Sequence, residues 1–300
     1  MNFAGKLKTR RKEFGMSQEQ LAEKIGVSRQ AITKWETDGG MPDIENLLAI
    51  ASLFNTTVDD LLSAEKQRKS NAPFFHESIV EYDIDSRKHY DVNIGGAYEV
   101  CVNSNDGEKL RVCLASNSIA SLEQLFKVKI DDGKNNVDVD INRGSGLSEA
   151  QAKEALHVFI SVPAKYVAGI EVAAHTGTLR LSGLDTETIE FDGRVNLVSL
   201  NDVKAVVELN TSSDMNVVCD GLSGGVGINQ ISATSTVHIP KGVQYQVKKK
   251  GASNRVSYTV DGSEAEPTVC PDAPNFIKLS GLNMELVVNE YTDISKVQMN

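Results

Sequence analysis

Valine is distributed very unevenly along this 300-residue chain. Of its 31 valines, only Val27 and Val58 precede residue 70. Because β-branched residues favour strands over helices, the sequence predicts a helical region before residue 70 and a β region after it. A polar stretch containing a proline, Ala64–Ser78, separates the two. We therefore expect one domain over residues 1–64, a linker over 65–78 and a second domain over 79–300.

The first 64 residues carry the local signals of short helices joined by tight turns. Ser17 and Gln20 form a capping-box pattern that predicts a helix over Gln18–Ile25. Gly26 is suited to ending that helix, because glycine tolerates a left-handed backbone conformation. The other four helices are expected over residues 3–14, over Arg29–Glu36 after the cap Ser28, after the cap Asp43, and from Thr57 with Val58, Leu61 and Leu62.

A specific motif runs through this helical region. It consists of Gln18, Ala22, Gly26, Val27, Ile32, Trp35 and Glu36 at set spacings, followed by the sequence PDIENLLAIA. In order and spacing it resembles the phage-repressor (Cro/repressor-type) helix-turn-helix family. The resemblance covers about one fifth of the chain. It implies an all-α DNA-binding head whose Arg29–Glu36 helix enters the major groove.

Roles for individual side chains follow partly from the resemblance and partly from the geometry of a recognition helix. The outward residues of the groove helix are expected to contact base edges, since arginine pairs with guanine and glutamine with adenine; they are Arg29, Gln30, Thr33 and Lys34. Contacts with backbone phosphates are expected from Gln18, Ser28, Arg10 and Lys12. Arg11 and Glu36 match a family pair that forms an internal ion pair. Trp35 is expected in the core.

Charge restricts a DNA surface to the beginning of the chain. Residues 1–34 hold eight basic and three acidic residues, whereas residues 35–65 hold seven acidic residues and no lysine or arginine. Residues 71–300 hold 20 basic and 31 acidic residues. Because phosphate repels acidic surfaces, the predicted DNA-binding surface lies within the basic region at the start of the chain.

Residues 79–300 are a succession of short alternating segments separated by turn residues, which predicts a mainly-β domain. The segments that end in Leu184, Leu200 and Leu222 follow each other at intervals of 16 and 22 residues. Irregular repeats of this length favour a β-solenoid, with a β-sandwich as the alternative. The stretch VPAKYVAGIEVAAHTGTLRLSGL resembles the bacterial putative-adhesin β-repeat family, a solenoid-like fold, over about residues 155–290.

Little in the β region indicates chemistry. The five histidines share no metal-ligand spacing with one another or with cysteine, so no metal, cofactor or catalytic residue is predicted. Cys101 and Cys113 lie in two segments joined by a short turn. One of two alternative hairpin registers would place the two thiols opposite each other, where they could act as a reversible thiol switch.

These observations together predict a cytoplasmic, sequence-specific DNA-binding transcriptional regulator that represses and is not an enzyme. Its partner is double-stranded DNA, which it is expected to bind as a homodimer. The β domain is expected to serve dimerisation or to receive a protein or small-molecule effector, and no membrane contact is predicted. The alternative is an antitoxin-like or anti-phage interaction protein, whose β domain binds a protein partner and whose DNA binding is autoregulatory.

Overall fold

A computed structural model of the chain describes residues 3–13, 16–37, 39–54 and 74–297. The chain divides into two compact units, residues 1–73 and 74–300. We call the described residues up to 54 the head and residues 74–297 the β unit. The head is helical and the β unit is mainly β, as the valine distribution predicted.

The described part of the head contains four helices: α1 (Phe3–Glu13), α2 (Gln18–Ile25), α3 (Arg29–Glu36) and α4 (Ile44–Leu53). Each predicted cap on α2, α3 and α4 is confirmed: the side chains of Ser17, Ser28 and Asp43 accept hydrogen bonds from backbone N–H groups at the helix starts. The fifth helix predicted near Thr57 and most of the predicted linker lie outside the described residues.

The four helices bury one apolar face each. Leu7, Leu21, Ile32 and Ile50 are fully buried, and Trp35 is 7% exposed, which confirms its predicted place in the core. Since each helix is short, its stability comes mainly from this shared packing rather than from helix propensity.

The β unit contains sixteen strands within residues 74–297. They are β1 (His76–Asp83), β2 (Lys88–Asn105), β3 (Lys109–Ser116), β4 (Phe126–Asp132), β5 (Asn136–Arg143), β6 (His157–Pro163), β7 (Val167–Arg194), β8 (Leu197–Thr211), β9 (Met215–Cys219), β10 (Ser223–Ile231), β11 (Thr234–Pro240), β12 (Gln246–Ala252), β13 (Arg255–Val260), β14 (Ser263–Glu264), β15 (Phe276–Leu282) and β16 (Glu285–Tyr291). Two short helices interrupt them, α5 (Leu122–Leu125) and α6 (Glu149–Ala155).

Long strands join these elements into one branched, hydrogen-bonded sheet. Its main path runs β1-β3-β6-β2-β7-β8-β9-β11-β16-β13-β14, and side branches add β4, β5, β10, β12 and β15. Every pair on the main path from β6 to β13 is parallel, whereas the pairs at its two ends, β1–β3, β3–β6 and β13–β14, are antiparallel. Fifty buried apolar side chains, from strands of the main path and of the side branches, form one continuous core.

The first part of β7 pairs with β8, and β8 pairs with β9, at the same offset of 19 residues along the chain. Leu181 lies beside Leu200, and Leu200 lies beside Cys219. Leu184 lies beside Val203, in a separate row. The predicted equivalence of Leu184, Leu200 and Leu222 was therefore wrong, because Leu200 belongs to the row of Leu181 and not to that of Leu184.

The final strands depart from chain order. β15 lies between β10 and β12, and β16 lies between β11 and β13. β12 and β13 therefore precede β15 and β16 in the chain, but in the sheet β15 and β16 separate them from β10 and β11. Local patterning carries no information about such an insertion.

The β unit begins before the predicted boundary at residue 79. His76–Ser78 already belong to β1, where their backbones pair with Ser116–Leu114. The ring of Phe74 lies 4.6 Å from that of His157. The polar side chains here suggested a linker, but strand pairing uses backbone groups and needs no apolar side chain.

Candidate nucleic-acid interface

Two helix caps and one glycine determine the turn between α2 and α3. Ser17 and Gln20 form a complete capping box at the start of α2. Gly26 takes a left-handed conformation, with φ of 75°, and its N–H group bonds to the last turn of α2. Two residues later, Ser28 caps α3. This turn places α3 across α2 in the arrangement of a helix-turn-helix.

Packing decides which face of α3 meets solvent. Ile32, Trp35 and Glu36 are buried against the head. The opposite face is exposed and lines a shallow open concavity formed by Arg29, Gln30, Thr33, Lys34 and Thr37. All four side chains predicted to contact bases therefore share one solvent-exposed face, and they carry two positive charges.

A buried ion pair holds the inner side of α3 to α1. The guanidinium of Arg11 donates two hydrogen bonds to the Glu36 carboxylate, at 2.6 and 3.0 Å, and a third to the carbonyl of Met16 at 2.7 Å. Burial raises the pKa of Glu36, but the hydrogen bonds from Arg11 and Gln18 outweigh it and lower the pKa overall. Arg11 and Glu36 thus have the structural role that the resemblance implied.

Gln18 is engaged within the head. Its amide N–H donates to Glu36 Oε2 at 2.8 Å, and its amide oxygen lies 3.1 Å from the hydroxyl of Thr33. The same hydroxyl lies 3.1 Å from the carbonyl of Arg29. One N–H of Gln18 stays available for the predicted phosphate contact, because an amide carries two donors. The spacing of residues in sequence did not predict this bridge between α2 and α3.

The other predicted phosphate contacts occupy different positions. Ser28 Oγ accepts from the N–H of Ala31 at 3.2 Å, which leaves its own O–H free to donate to a phosphate. Arg10 is exposed on α1. The side chain of Lys12 lies outside the described residues. Arg29 makes a loose, exposed contact with Glu19 at 3.7 Å, which is worth little energy and can be exchanged for DNA.

The predicted thiol pair does not form. Within the described residues, β2 and β3 are not neighbours, because β6 lies between them. Cys101 and Cys113 both lie beside Phe159, on opposite sides of it. Two strand spacings separate their backbones by about 9–10 Å, which exceeds the ~7 Å limit for a disulfide. The hairpin prediction failed because a strand from later in the chain entered it.

In the β unit, three polar side chains from two strands that are far apart in the sequence lie close together. Ligand atoms of His89, Asp91 and Glu171 lie within 4.8 Å of one another on the exposed side of β2 and β7. Burial and the nearby carboxylates of Asp91, Glu190 and Asp192 raise the pKa of Glu171. His89 and Asp91 alternate on one strand face, but Glu171 comes from β7, with β3 to β6 intervening in the chain, so spacing could not predict the group.

Known proteins resemble the two units separately. Residues 7–61 match the family described as helix-turn-helix. The HTH-type transcriptional activator BcrR of Enterococcus faecalis is 47% identical over 66 residues, 22% of this chain and 32% of BcrR. The phage CTXphi transcriptional repressor RstR of Vibrio cholerae is 34% identical over 61 residues, 20% of this chain and 54% of RstR. The chain thus spans less than two thirds of either protein.

The β unit resembles a solved structure only distantly. A putative cell adhesion protein from Clostridium sporogenes aligns with 72% of this chain and 99% of its own, at 12% identity and a TM-score of 0.37. A likeness this weak supports no inference about the role of the β unit. None of the helices in the described residues is long and apolar enough to cross a membrane.

One relative is matched over most of its length. An uncharacterized HTH-type transcriptional regulator of Archaeoglobus fulgidus is 39% identical over 51 residues, which are 17% of this chain and 73% of the relative. The family match over residues 7–61 covers the helix-turn-helix and the exposed α3 face described above. Through its head, this chain belongs to the helix-turn-helix transcriptional regulators.

Proposed function

We propose that the head reads a specific DNA sequence by placing α3 in the major groove. The observation that carries the proposal is the division of α3 into two faces. Its buried face is held by Trp35 and the Arg11–Glu36 ion pair, while Arg29, Gln30 and Thr33 stand exposed together. Arg29 and Gln30 lie in the first turn of α3, the part of a recognition helix that meets base edges.

Selection of bound sites from random duplex DNA tests this proposal. We expect the full-length chain to enrich one sequence, and an Arg29→Ala/Gln30→Ala/Lys34→Ala variant to lose that preference. The control variant, Gln244→Ala/Lys249→Ala/Lys250→Ala, removes one glutamine and two cations from exposed positions of the β unit. Equal loss in both variants, or no enrichment by the wild-type chain, contradicts the proposal.

We further propose that the regulator represses transcription and binds a two-fold symmetric site as a dimer. One head covers a small surface, and two half-sites joined in one complex multiply the affinity. Named relatives include both an activator and a repressor, so the sign is tested directly. Transcription in vitro from a promoter that carries the enriched site should fall as protein is added, and an increase contradicts repression.

We propose that the β unit is a β-solenoid that supplies dimerisation or signal input. Parallel pairing at the constant offset that relates Leu181, Leu200 and Cys219 supports a solenoid over a sandwich. Sedimentation of the full-length chain tests the dimer. If the chain is a monomer in solution and still binds a two-fold symmetric site, the two copies meet only on the DNA. The β unit would then not supply dimerisation.

One observation favours the alternative role in binding a protein partner. On one side of the β unit, Asp138, Asp91 and Glu171 lie side by side on adjacent strands, and the carboxylates of Glu190 and Asp192 lie near Glu171. This surface repels DNA and suits a basic partner. Purification from the native cell at low and high salt tests it, because a stoichiometric basic protein lost at high salt would support the alternative.

A further inference from the structure

The loop after α3 contains two glycines that lie against Lys34. The N–H of Gly39 donates to the carbonyl of Lys34 at 2.8 Å and closes the last turn of α3. A Cβ atom at residue 40 would lie only 2.9 Å from Cε of Lys34 and 3.5 Å from its Nζ. A Cβ atom at residue 39 would lie 3.2 Å from Cγ of the same side chain. The Lys34 side chain therefore lies along the backbone of the glycine pair, in space that any other residue at 40 would fill.

This contact orients the charged end of Lys34. Lys34 lies five residues after Arg29, about 7.5 Å further along the helix axis. Base edges are met by the first turn of a recognition helix, so a residue in the last turn lies nearer the DNA backbone. Because neither residue 39 nor residue 40 carries a Cβ atom, the Lys34 side chain has room to lie against the loop, with its ammonium beside Gly40. A lysine ammonium is a compact point charge that binds phosphate well and offers no paired hydrogen bonds to a base.

We propose that Gly40, supported by Gly39, is a positioning residue that directs Lys34 to a backbone phosphate. Lys34 then supplies affinity and salt dependence, while Arg29 and Gln30 supply sequence preference. This inference rests on the proposed function of α3. It assigns Lys34 a phosphate contact in place of the base contact expected from the sequence.

A double-mutant cycle tests the inference. Full-length wild type, Gly40→Ala, Lys34→Ala and the double variant are titrated with the duplex enriched by the wild-type chain, and with duplexes that each carry one altered base pair. Lys34→Ala should weaken binding to all of them by a similar factor, and should lower the slope of log affinity against log salt by about 0.9. Gly40→Ala should also weaken binding to all of these duplexes by a similar factor. It should lower the slope of log affinity against log salt as well.

The cycle separates positioning from a general effect on the loop. We expect Gly40→Ala to change neither affinity nor slope further once Lys34 is alanine, because the glycine acts only through the Lys34 side chain. A direct effect of the substitution on the loop would persist in that background. Met41→Ala, an exposed neighbour in the same loop, is the control and should leave the slope unchanged. Thermal unfolding followed by Trp35 fluorescence confirms that each variant is folded.

Three outcomes overturn the inference. If Lys34→Ala changes preference at one base pair and leaves the salt slope unchanged, Lys34 contacts a base. If the effects of Gly40→Ala and Lys34→Ala add, the glycine does not act through Lys34. Both results leave the proposed function intact. If the wild-type chain enriches no duplex, the proposed function fails, and this inference fails with it.

Discussion

The head and the β unit differ in how far apart in sequence their contacts lie. In the head, Ser17, Gly26 and Ser28 set the ends of α2 and α3 through bonds to residues within four positions. In the β unit, β7 pairs with β8, the next strand along the chain, but it also pairs with β2, although β3 to β6 intervene. In the same way β10 pairs with β15, although β11 to β14 intervene. Local signals are visible in a sequence window, whereas distant pairings depend on the packing of the whole unit.

The chain carries a separate optical reporter for each region. Its single tryptophan, Trp35, is buried in the head, and all seven tyrosines follow residue 73. Tryptophan fluorescence therefore reports on the head and tyrosine near-UV circular dichroism on the β unit. The two signals allow the regions to be destabilised one at a time in the full-length chain.

The largest expected effect is a cavity in the β unit. Phe191 in β7 is fully buried, so Phe191→Ala should lower the free energy of unfolding of the β unit by about 3–5 kcal/mol. Phe75→Ala is the control, because Phe75 is 81% exposed and its loss should have little effect. Chemical denaturation should shift the tyrosine signal and leave the Trp35 transition in place. A common shift of both signals would mean that the regions unfold together.

The matching change in the head removes one side of its ion pair. Arg11→Ala leaves the Glu36 carboxylate buried with Gln18 as its remaining hydrogen-bond donor, which should cost the head about 3 kcal/mol. Here the Trp35 transition should move while the tyrosine signal stays. Arg29→Ala, which removes an exposed arginine from the same small region, should shift neither transition.

The same ion pair makes the stability of the head depend on pH. The pKa of Glu36 is lower in the folded head than its ordinary value. A lowered carboxylate pKa stabilises the folded state above the unfolded pKa of about 4.3, and this contribution is lost as the pH falls through the folded pKa. The Trp35 transition of the wild type should weaken below about pH 4.3. In Arg11→Ala this dependence should be smaller, and an unchanged pH profile would contradict the assigned role of the pair.

A smaller loss of stability is expected from removing a helix cap, which both regions contain. Ser28 caps α3 in the head and Ser148 caps α6 in the β unit, each through a bond to a backbone N–H. Ser28→Ala and Ser148→Ala should each cost about 1 kcal/mol, in the Trp35 and tyrosine signals respectively. Ser121→Ala is the control, because the Ser121 side chain makes no capping bond at α5. An equal loss at Ser121 would show that capping is not the cause.

These comparisons indicate what the sequence could and could not predict. The exposed face of α3 followed from helical spacing and the family motif, because helix period and caps are local. The bridge from Gln18 to Thr33 did not, since it depends on how α2 crosses α3. In the β unit the sequence predicts a strand at Leu200, but it does not predict that Leu181 and Cys219, rather than Leu184 and Leu222, lie beside Leu200. Glu171 joined His89 and Asp91 only through the pairing of β2 with β7, which are far apart in the chain.

The smallest expected effect, no change at all, is that of oxidation on Cys101 and Cys113. Burial raises the pKa of Cys101 to about 12 and that of Cys113 to about 11, with further contributions from Glu99 and Glu77 respectively. Few thiolates therefore form at neutral pH, and β6 separates the two backbones beyond disulfide reach. After mild oxidation and unfolding, both cysteines should still be alkylated, as judged by peptide mass spectrometry. Oxidant should leave the unfolding temperature of the wild type unchanged, as it should that of a Cys101→Ser/Cys113→Ser variant. A peptide linked through Cys101 and Cys113 would show that β6 can leave its place, and would restore the hairpin predicted from the sequence.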